Sequence, residues 1–353
     1  MKKTIALLLS ILIIALLFIG TVIAQSDYVM KMSHNDVADP LKGPIMANAQ
    51  VLKTEAERLS GGKIEVQIYP AAQLGDSTSA LEQLRRGTIE IVNAASGVLA
   101  SLYAEKLDIF EMPFIFSSRE HASRVLDVKN PFIKDLIEEV AEETGIRILS
   151  FFAFGPRHLT NNVKPIQTPD DLKGLKIRVQ NIVPHMELMR ALGAAPTPIP
   201  YSELYTSLQT NVVDGQENPL VNIETAKFYQ VQDYLTLTGH LMGISLNVVN
   251  EKWFQSLPDD IKRALVEADK VAGFACNGFG AIRDSVALEN LASEGMEVYA
   301  PTTEEIEMFR EKTVPHLTEW LKERYGADFV DEFLALVQEK ENEIKAESGI
   351  LSK

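Results

Sequence analysis

The segment of residues 168–219 restricts the fold of this chain more than any other part of the sequence. It begins with Thr-Pro-Asp-Asp, which predicts a helix start. Threonine caps a helix, proline suits its first turn, and a carboxylate three residues after the cap completes a capping box. In the run 175–179 apolar and charged residues then alternate, which predicts a strand. Arg178 is therefore expected near the end of a strand.

The rest of this segment predicts two helices and a second strand. One helix is expected to begin at Pro184, and a second to begin with Ser202 as its cap and to lead into the polar residues 213–219. Strand, helix, extended run, helix and strand in this order indicate an α/β domain, in which ligands bind beyond the carboxyl ends of the strands. Arg178 and Asn218 are both expected at that edge.

An earlier part of the chain repeats this pattern. Residues 77–97 show the same order of helix, turn, short strand and small polar end as residues 202–218. The repetition predicts an α/β fold of two similar domains around a shared cleft. A helical pattern over 258–293, about 52 Å long at about 1.5 Å per residue, is long enough to run past both domains. We predict domain I over 27–154 plus 244–283, domain II over 155–243 plus 284–335, and a charged C-terminal tail over 336–353.

The N-terminus reads as a signal peptide over residues 1–24. Lys2 and Lys3 precede an apolar run at 5–19, and small or modest residues follow up to Ala24, where a signal peptidase cleaves such segments. The apolar run is shorter than the roughly 20 residues of a membrane span. We predict export to the periplasm, with an uncleaved membrane anchor as the alternative.

The charge balance limits the possible partners. The formal net charge of the chain is −15, and no basic run interrupts it, so nucleic acid and anionic membrane surfaces are not expected as partners. Any organic anion must be bound locally, by a few arginines within a screening distance of about 10 Å.

Patterns typical of metal, cofactor or nucleophile sites are absent from the sequence. Cys276 is the only cysteine, and no two of the six histidines lie three or four residues apart. The sequence contains no phosphate-binding loop, dinucleotide fingerprint or nucleophile elbow. We therefore predict no metal and no cofactor.

Arg178 by itself has two interpretations. A planar guanidinium at a strand end that faces a crevice is suited to bind a carboxylate through two parallel hydrogen bonds. The alternative is a solvated charge, or a structural ion pair with Asp170 or Asp171. The spacing alone does not decide between them.

Four ordered blocks resemble a known family. The blocks are LKGLKIRV at 172–179, GAAPTP at 193–198, ELYTSLQT at 203–210 and VDGQENP at 213–219. They closely resemble the substrate-binding proteins of TRAP transporters, the tripartite ATP-independent periplasmic carriers, and the resemblance extends over most of the chain. It implies a two-lobed periplasmic-binding-protein-like fold with a long helix spanning both lobes. It also implies a monomer without enzymatic activity that delivers an organic acid to integral-membrane permease subunits.

The resemblance implies roles for residues of the second domain. Arg178 matches the arginine that grips the substrate carboxylate, and Arg157, expected at the mouth of the cleft, matches a second arginine that reaches the ligand. Asn218 matches an asparagine that approaches the same carboxylate, and Tyr201 an aromatic residue that walls the pocket. The alternatives are a turn residue for Asn218 and ordinary packing for Tyr201.

Four further residues are implied more indirectly. Glu217 and His240 match positions that hold a hydrogen-bonded water network behind the arginine. The alternative interpretation of His240 is a buried core histidine with satisfied hydrogen bonds. His34 and Asp76 lie where the first domain supplies contacts that specify the substrate.

These observations predict an extracytoplasmic solute-binding protein for an organic acid anion. The acid is expected to be a C4-dicarboxylate or a sugar acid such as a hexuronate. Two alternatives stay open: a secreted enzyme that acts on a sugar acid through Glu203, Glu217 or His240, and a ligand-sensing component of a signalling system.

Overall fold

The computed structural model describes residues 26–351, so the predicted signal peptide lies outside the described residues. The strands are β1 Tyr28–Ser33, β2 Ile64–Tyr69, β3 Ile91–Ala95, β4 Ile146–Asn161, β5 Lys176–Val179, β6 Ala195–Pro198, β7 Gly215–Pro219, β8 Tyr234–Asn250 and β9 Glu297–Tyr299.

Helices surround these strands. The α-helices are α1 Pro44–Leu59, α2 Ser77–Arg86, α3 Ser96–Leu102, α4 Arg119–Val125, α5 Pro131–Thr144, α6 Val183–Ala191, α7 Leu204–Gln209, α8 Leu220–Thr225, α9 Glu251–Ser256, α10 Asp259–Ser293, α11 Thr303–Tyr325 and α12 Ala327–Leu351. Short 3₁₀ helices lie at Glu105–Glu111, Pro169–Leu172, Tyr201–Glu203 and Phe228–Gln230. None of the helices within residues 26–351 has a stretch long and apolar enough to cross a bilayer.

The strands form one sheet with two similar ends. Its order is β2-β1-β3-β8-β4-β7-β5-β6, with β9 paired to β8. Strands β2, β1 and β3 are parallel, as are β6, β5 and β7, and each set joins the antiparallel centre through β3 or β7. The repeated pattern predicted from the sequence thus corresponds to α2–β3 in one lobe and α7–β7 in the other. The fold is α/β and two-lobed, as predicted.

The two central strands are longer than predicted. The sequence patterns over 147–152, 234–238 and 241–249 predict one strand and two separate extended segments. In the structure β4 has 16 residues, β8 has 17, and both run through the two lobes. They pair antiparallel with three register shifts. Gly155 and Gly239 have φ angles of 153° and 54°, so these glycines bend the strands without ending them.

Each lobe has apolar packing on both sides of the sheet. In the first lobe, one cluster joins β1 and β2 to α1 and α10, and another joins β3, β4 and β8 to α2, α3 and α5. In the second lobe, one cluster lies between β5 and α6, and another joins α7 and α8 to α10. Burial of these apolar side chains stabilises each lobe separately, at about 1.5–3 kcal/mol for a fully buried leucine or isoleucine.

Helix α10 connects the lobes, which confirms the predicted long helix. Ala264, Leu265 and Ala268 pack into the first lobe, whereas Ala287 and Leu291 pack into the second. Polar contacts fix it at two further points, through ion pairs of Asp284 with Arg119 and of Arg283 with Glu224.

The charged C-terminal segment is not a separate tail. Residues 336–351 form the C-terminal part of α12, and Val337 is buried in the first-lobe core together with Phe333. On the polar side, Ser117 donates to Glu341 at 2.6 Å. An amphipathic face that contacts an apolar partner keeps a charged helix docked, and α12 continues across the predicted boundary at residue 336. The division into two domains otherwise remains a prediction.

Candidate functional site

A cavity of about 330 Å³ lies between the lobes, at the carboxyl ends of the parallel strands of both. Phe154 and Ser245 of the two crossing strands contribute to its wall. The polar part of the first-lobe wall consists of Asn35, Asp36, Asp76, Ser77, Thr78 and Asn93. The polar part of the second-lobe wall consists of Arg178, Gln180, Asn181, Tyr201, Asn218 and Asn222.

Arg178 places a buried charge in this wall. It is the third of the four residues of β5, its side chain is 1% exposed, and its Nε donates to the carbonyl of Ile199 at 2.8 Å. Within residues 26–351, no atom accepts a hydrogen bond from its Nη1. Burial lowers the pKa of Arg178 to about 10, with the charge of Glu217 acting in the opposite direction, so the guanidinium is protonated at neutral pH. A buried cation with an unpaired donor is suited to bind an anion.

The alternative prediction, a structural ion pair of Arg178 with Asp170 or Asp171, is wrong. Asp170 pairs with Lys312 at 2.7 Å, and Asp171 lies 3.4 Å from Lys164. As predicted, Asp171 also completes a capping box with Thr168. Both carboxylates therefore belong to the turn before β5.

Arg157 is equally buried but fully paired. It is 1% exposed and does not line the cavity, so its predicted position at the cleft mouth is wrong. Its Nε donates to the carboxylate of Glu217, and its Nη2 donates to Glu217 Oε1 at 2.9 Å and to Asn218 Oδ1 at 3.1 Å. With its amide oxygen turned toward the guanidinium, Gln180 accepts from both terminal nitrogens at 3.2 Å. Pairing of β4 with β7 brings these partners together, and direct contact of Arg157 with ligand stays a prediction.

Glu217 is the centre of a buried ionisable cluster. It is 0% exposed, and its carboxylate lies 3.5 Å from His185 Nδ1 and 3.6 Å from His240 Nε2. Burial acts to raise the pKa of Glu217, but Arg157 and the two histidines outweigh burial and hold that pKa well below its usual range. Glu217 is therefore an anion that stabilises the layer behind the cavity.

The two histidines differ in their second partner. His185 Nε2 lies 2.9 Å from Glu111 Oε2. Burial acts to lower the pKa of His185, but its interactions with the carboxylates of Glu111 and Glu217 outweigh burial and raise that pKa. His240 Nδ1 lies 2.7 Å from the hydroxyl of Thr238, and burial lowers its pKa. His240 is thus buried beside Glu217 and outside the cavity wall. The sequence analysis missed His185 and Glu111, because neither has a charged partner nearby in the chain.

Asn218 and Tyr201 both line the cavity. Asn218 is the fourth residue of β7, so the alternative of a turn residue is wrong; its Nδ2 donates to Gln216 Oε1 at 2.5 Å. Tyr201 packs edge-on to Phe228, with ring centroids 6.2 Å apart, and therefore serves packing as well as the wall. The predicted helix cap at Ser202 is wrong, because Ser202 lies in the 3₁₀ turn that precedes α7.

The first-lobe wall carries two carboxylates. Asp76 caps α2 and accepts from the Ser79 N–H at 2.9 Å. Asp36, which the sequence analysis missed, is 7% exposed and accepts from the Val37 N–H at 2.9 Å. Burial raises the pKa of Asp36 to about 6. Its position three residues after the end of β1, in a polar run equivalent to the polar end of β7, was the available signal.

His34 does not reach the cavity wall. It is 1% exposed, and its Nδ1 accepts from the Asp36 N–H at 3.2 Å. Burial lowers the pKa of His34 to about 4, so the imidazole is neutral at physiological pH. Its observed contact is with the backbone of Asp36, and a direct role in specificity is only a prediction.

The residues proposed for an enzyme do not form a catalytic arrangement. Glu203 is exposed and does not line the cavity, whereas Glu217 is buried against Arg157. Within residues 26–351, no group of three or more histidine, cysteine, aspartate or glutamate side chains is placed to hold a metal ion.

Comparison with known proteins identifies the family. The model of the family described as bacterial extracellular solute-binding protein, family 7, matches residues 34–323. The chain belongs to this family. Family 7 contains TRAP-type periplasmic solute-binding proteins, so the resemblance read from the four sequence blocks is confirmed. These proteins bind small organic acids and work with membrane permease subunits; the family is one of binding proteins, not enzymes.

Relatives of this family 7 protein bind different acids. It is 33% identical over 268 residues to the sialic acid-binding periplasmic protein SiaP of Vibrio cholerae, covering 76% of this chain and 81% of that protein. It is 30% identical over 303 residues to the C4-dicarboxylate-binding periplasmic protein DctP of Rhodobacter capsulatus, covering 86% and 89%. The crystal structure of the sugar acid binding protein DctPAm of Advenella mimigardefordensis with galactonate superimposes with a TM-score of 0.82, at 30% identity, over 88% of this chain and 98% of that one.

Proposed function

We propose that this protein binds an organic acid anion between its lobes and delivers it to the membrane subunits of a TRAP-type transporter. The observation that carries the proposal is the Arg178 guanidinium, which is 1% exposed, lines the cavity and has no acceptor for Nη1 within the described residues. A ligand carboxylate supplies the acceptor that the protein does not, and the planar guanidinium matches its geometry.

The energies are sufficient for capture at low concentration. A charge-assisted hydrogen bond contributes about 1.5–3 kcal/mol, and micromolar affinity requires about 8 kcal/mol. Bonds from Arg178 and neighbouring amides, together with burial of the ligand between the lobes, supply this amount. Asn218 and Asn222 offer such amides in the same wall.

Closure of the lobes is the proposed link from binding to delivery. The lobes are joined by β4, β8 and α10, and the cavity lies between them, so a ligand that contacts both walls favours a closed state. We propose that the permease subunits recognise the surface formed by closure. The proposal also includes export by the signal peptide over residues 1–24 and a monomeric state.

Arg178→Ala tests the proposed function. Purified protein is screened with organic acids by thermal shift and calorimetry, and the acid is recovered afterwards and analysed by NMR. We expect a bound acid to raise the melting temperature of the parent protein and to be recovered unchanged. Arg178→Ala is expected to abolish the rise.

Arg190→Ala is the matched control. Arg190 lies on α6 in the same lobe, pairs with Glu187 and has a side chain that is 52% exposed, so its loss should leave binding unchanged. Unchanged affinity in Arg178→Ala would contradict the proposed carboxylate contact, and a chemically altered acid would favour an enzyme.

A further inference from the structure

The two walls of the cavity carry opposite charges. Among the lining residues within 26–351, Arg178 is the only one with a cationic side chain, whereas Asp36 and Asp76 of the first lobe are acidic. Arg157 does not add a second positive charge to the lining, because it lies behind Asn218 and is paired with Glu217. A ligand that spans the cavity therefore meets one cation at one end and carboxylates at the other.

The acidic wall lies within electrostatic range of the opposite wall. The negative charge of Asp36 contributes, after burial, to raising the pKa of Tyr201 to about 12, although the two residues belong to different lobes. Asp36 is itself buried, with two backbone N–H groups, those of Val37 and Ile45, bonded to its carboxylate. A carboxylate accepts about four hydrogen bonds, so acceptor capacity remains for a ligand donor.

The N-terminus of α2 does not offset this negative charge. Ser77 and Thr78 of its first turn line the cavity, and a helix N-terminus by itself attracts anions. Here the cap residue is Asp76, whose carboxylate accepts from the Ser79 N–H and already occupies the anion position. A second ligand carboxylate would meet a negative charge there, whereas a ligand hydroxyl group would be able to donate to the Asp76 carboxylate.

We propose that this protein selects an acid with one carboxylate and several hydroxyl groups, a monocarboxylic sugar acid, and that Asp36 and Asp76 reject dicarboxylates. The inference rests on the proposed function, since it assumes that Arg178 binds the ligand carboxylate. Hydroxyl groups at the far end of the ligand pair with the two carboxylates and with the amide of Asn35, which lines the same wall. A second carboxylate has no cationic partner among the described lining residues and is repelled.

Matched ligand pairs test the selection. Calorimetry at pH 8, where Asp36 is ionised, compares galactonate and gluconate with galactarate and glucarate, which differ from them by a carboxylate in place of the terminal CH₂OH group. Succinate, glucuronate and unhydroxylated hexanoate complete the panel. We expect at least one sugar monocarboxylate to bind about tenfold or more tightly than its dicarboxylate counterpart, succinate and hexanoate.

A variant of the acidic wall sharpens the test. Asp76→Asn keeps the helix cap, since asparagine is an equally good N-cap residue, but removes the charge. It should weaken sugar acid binding about tenfold and reduce the discrimination against the dicarboxylate. Asp36→Asn should have the same effect. Glu82→Gln is the control, because Glu82 lies on the same helix outside the cavity lining and has a side chain that is 49% exposed.

The possible results separate the two proposals. Equal or tighter binding of a dicarboxylate would overturn the selection and leave the proposed function intact, as would equal binding of hexanoate. Absence of binding for every acid in the panel would overturn both. Unchanged discrimination in both Asp36→Asn and Asp76→Asn would show that the two carboxylates do not select the ligand.

Discussion

Two buried arginines of the second lobe have opposite surroundings. Arg157 and Arg178 are each 1% exposed and lie on strands of the same sheet. Arg157 is paired with the carboxylate of Glu217 and also bonds Asn218, whereas Arg178 donates from Nε to one carbonyl, and its Nη1 has no acceptor within residues 26–351. Burial alone thus does not distinguish a structural arginine from a binding one; the set of partners does.

The difference has an energetic meaning. A buried ion pair is costly to break, because the remaining partner becomes an uncompensated charge. A buried cation without a counter-ion already bears that cost in the folded protein, and a ligand anion relieves it. Arg157 is therefore expected to stabilise the folded protein. Burial of the unpaired Arg178 is expected to be unfavourable, and relief of that cost by a bound anion raises the affinity for the anion.

The largest expected effect concerns stability. Arg157→Met should lower the free energy of unfolding by about 3–5 kcal/mol, because it removes the arginine partner of the buried Glu217 carboxylate. Arg178→Met, the matched change, loses one hydrogen bond to the Ile199 carbonyl and should lower it by no more than about 1.5 kcal/mol. Urea unfolding of the ligand-free proteins measures both, and equal losses would remove the distinction between the two arginines.

The second effect concerns affinity. Arg178→Lys keeps the positive charge but loses the planar pair of donors, so the bound acid should be held about tenfold more weakly. Calorimetry with the acid identified by the thermal-shift screen provides the measurement, with Arg190→Lys as the control. Full affinity in Arg178→Lys would mean that a point charge suffices and that bidentate geometry is not required.

A third and smaller effect concerns the residue between the two arginines. Asn218 accepts from Arg157 and also lines the cavity, so Asn218→Ala should affect both stability and binding. We expect the free energy of unfolding to fall by about 1 kcal/mol, with a loss of affinity smaller than in Arg178→Lys. A change in the unfolding free energy alone would show that Asn218 only supports Arg157. A change in affinity alone would show that it only contributes to ligand binding.

The smallest effect is a pH dependence in the Arg157 region. Because the folded-state pKa of His185 is raised, its protonated form contributes stability that is present in full below the unfolded pKa of about 6.5 and is lost as the pH rises through the folded value. Unfolding free energies between pH 6 and pH 9 should therefore fall more steeply in the parent protein than in His185→Gln.

The acid side of the same profile supplies an internal control. Because the folded-state pKa of Glu217 is lowered, its ionised form contributes stability. This stability is present in full above the unfolded-state pKa of about 4.3 and is lost as the pH falls through the folded-state value. Arg157 still lowers the pKa of Glu217 in His185→Gln, so this variant should keep an acid limb, reduced by the contribution of His185. Identical slopes of the two proteins above pH 6 would contradict a charged His185.

Local patterns allow correct prediction where the signal is contained in a few neighbouring residues. The capping box at Thr168, the helix over Ser77–Arg86 and the strand position of Arg178 all follow from short-range spacing. Predictions fail where contacts with a segment distant in the sequence determine the extent of an element. Strand β4 continues past residue 152 because β8 pairs with it along nearly its whole length, and α12 stays ordered because Val337 reaches the first-lobe core.

The candidate site divides in the same way. Alternation of side chains along a strand and the identity of the four blocks are sufficient to predict Arg178, Asn218 and Tyr201 at the cavity, where all three lie. The pairing of Arg157 with Glu217 and the contribution of Asp36 to the opposite wall depend on which strands become neighbours in the sheet. The sequence by itself determined the family, through the resemblance of the four blocks, and it determined the locally encoded elements and the cation at the strand end, because these depend on local periodicity and residue type. Only the tertiary structure decided which charges are neutralised and which face the cavity, because electrostatic partners are set by distance in space and not by separation along the chain.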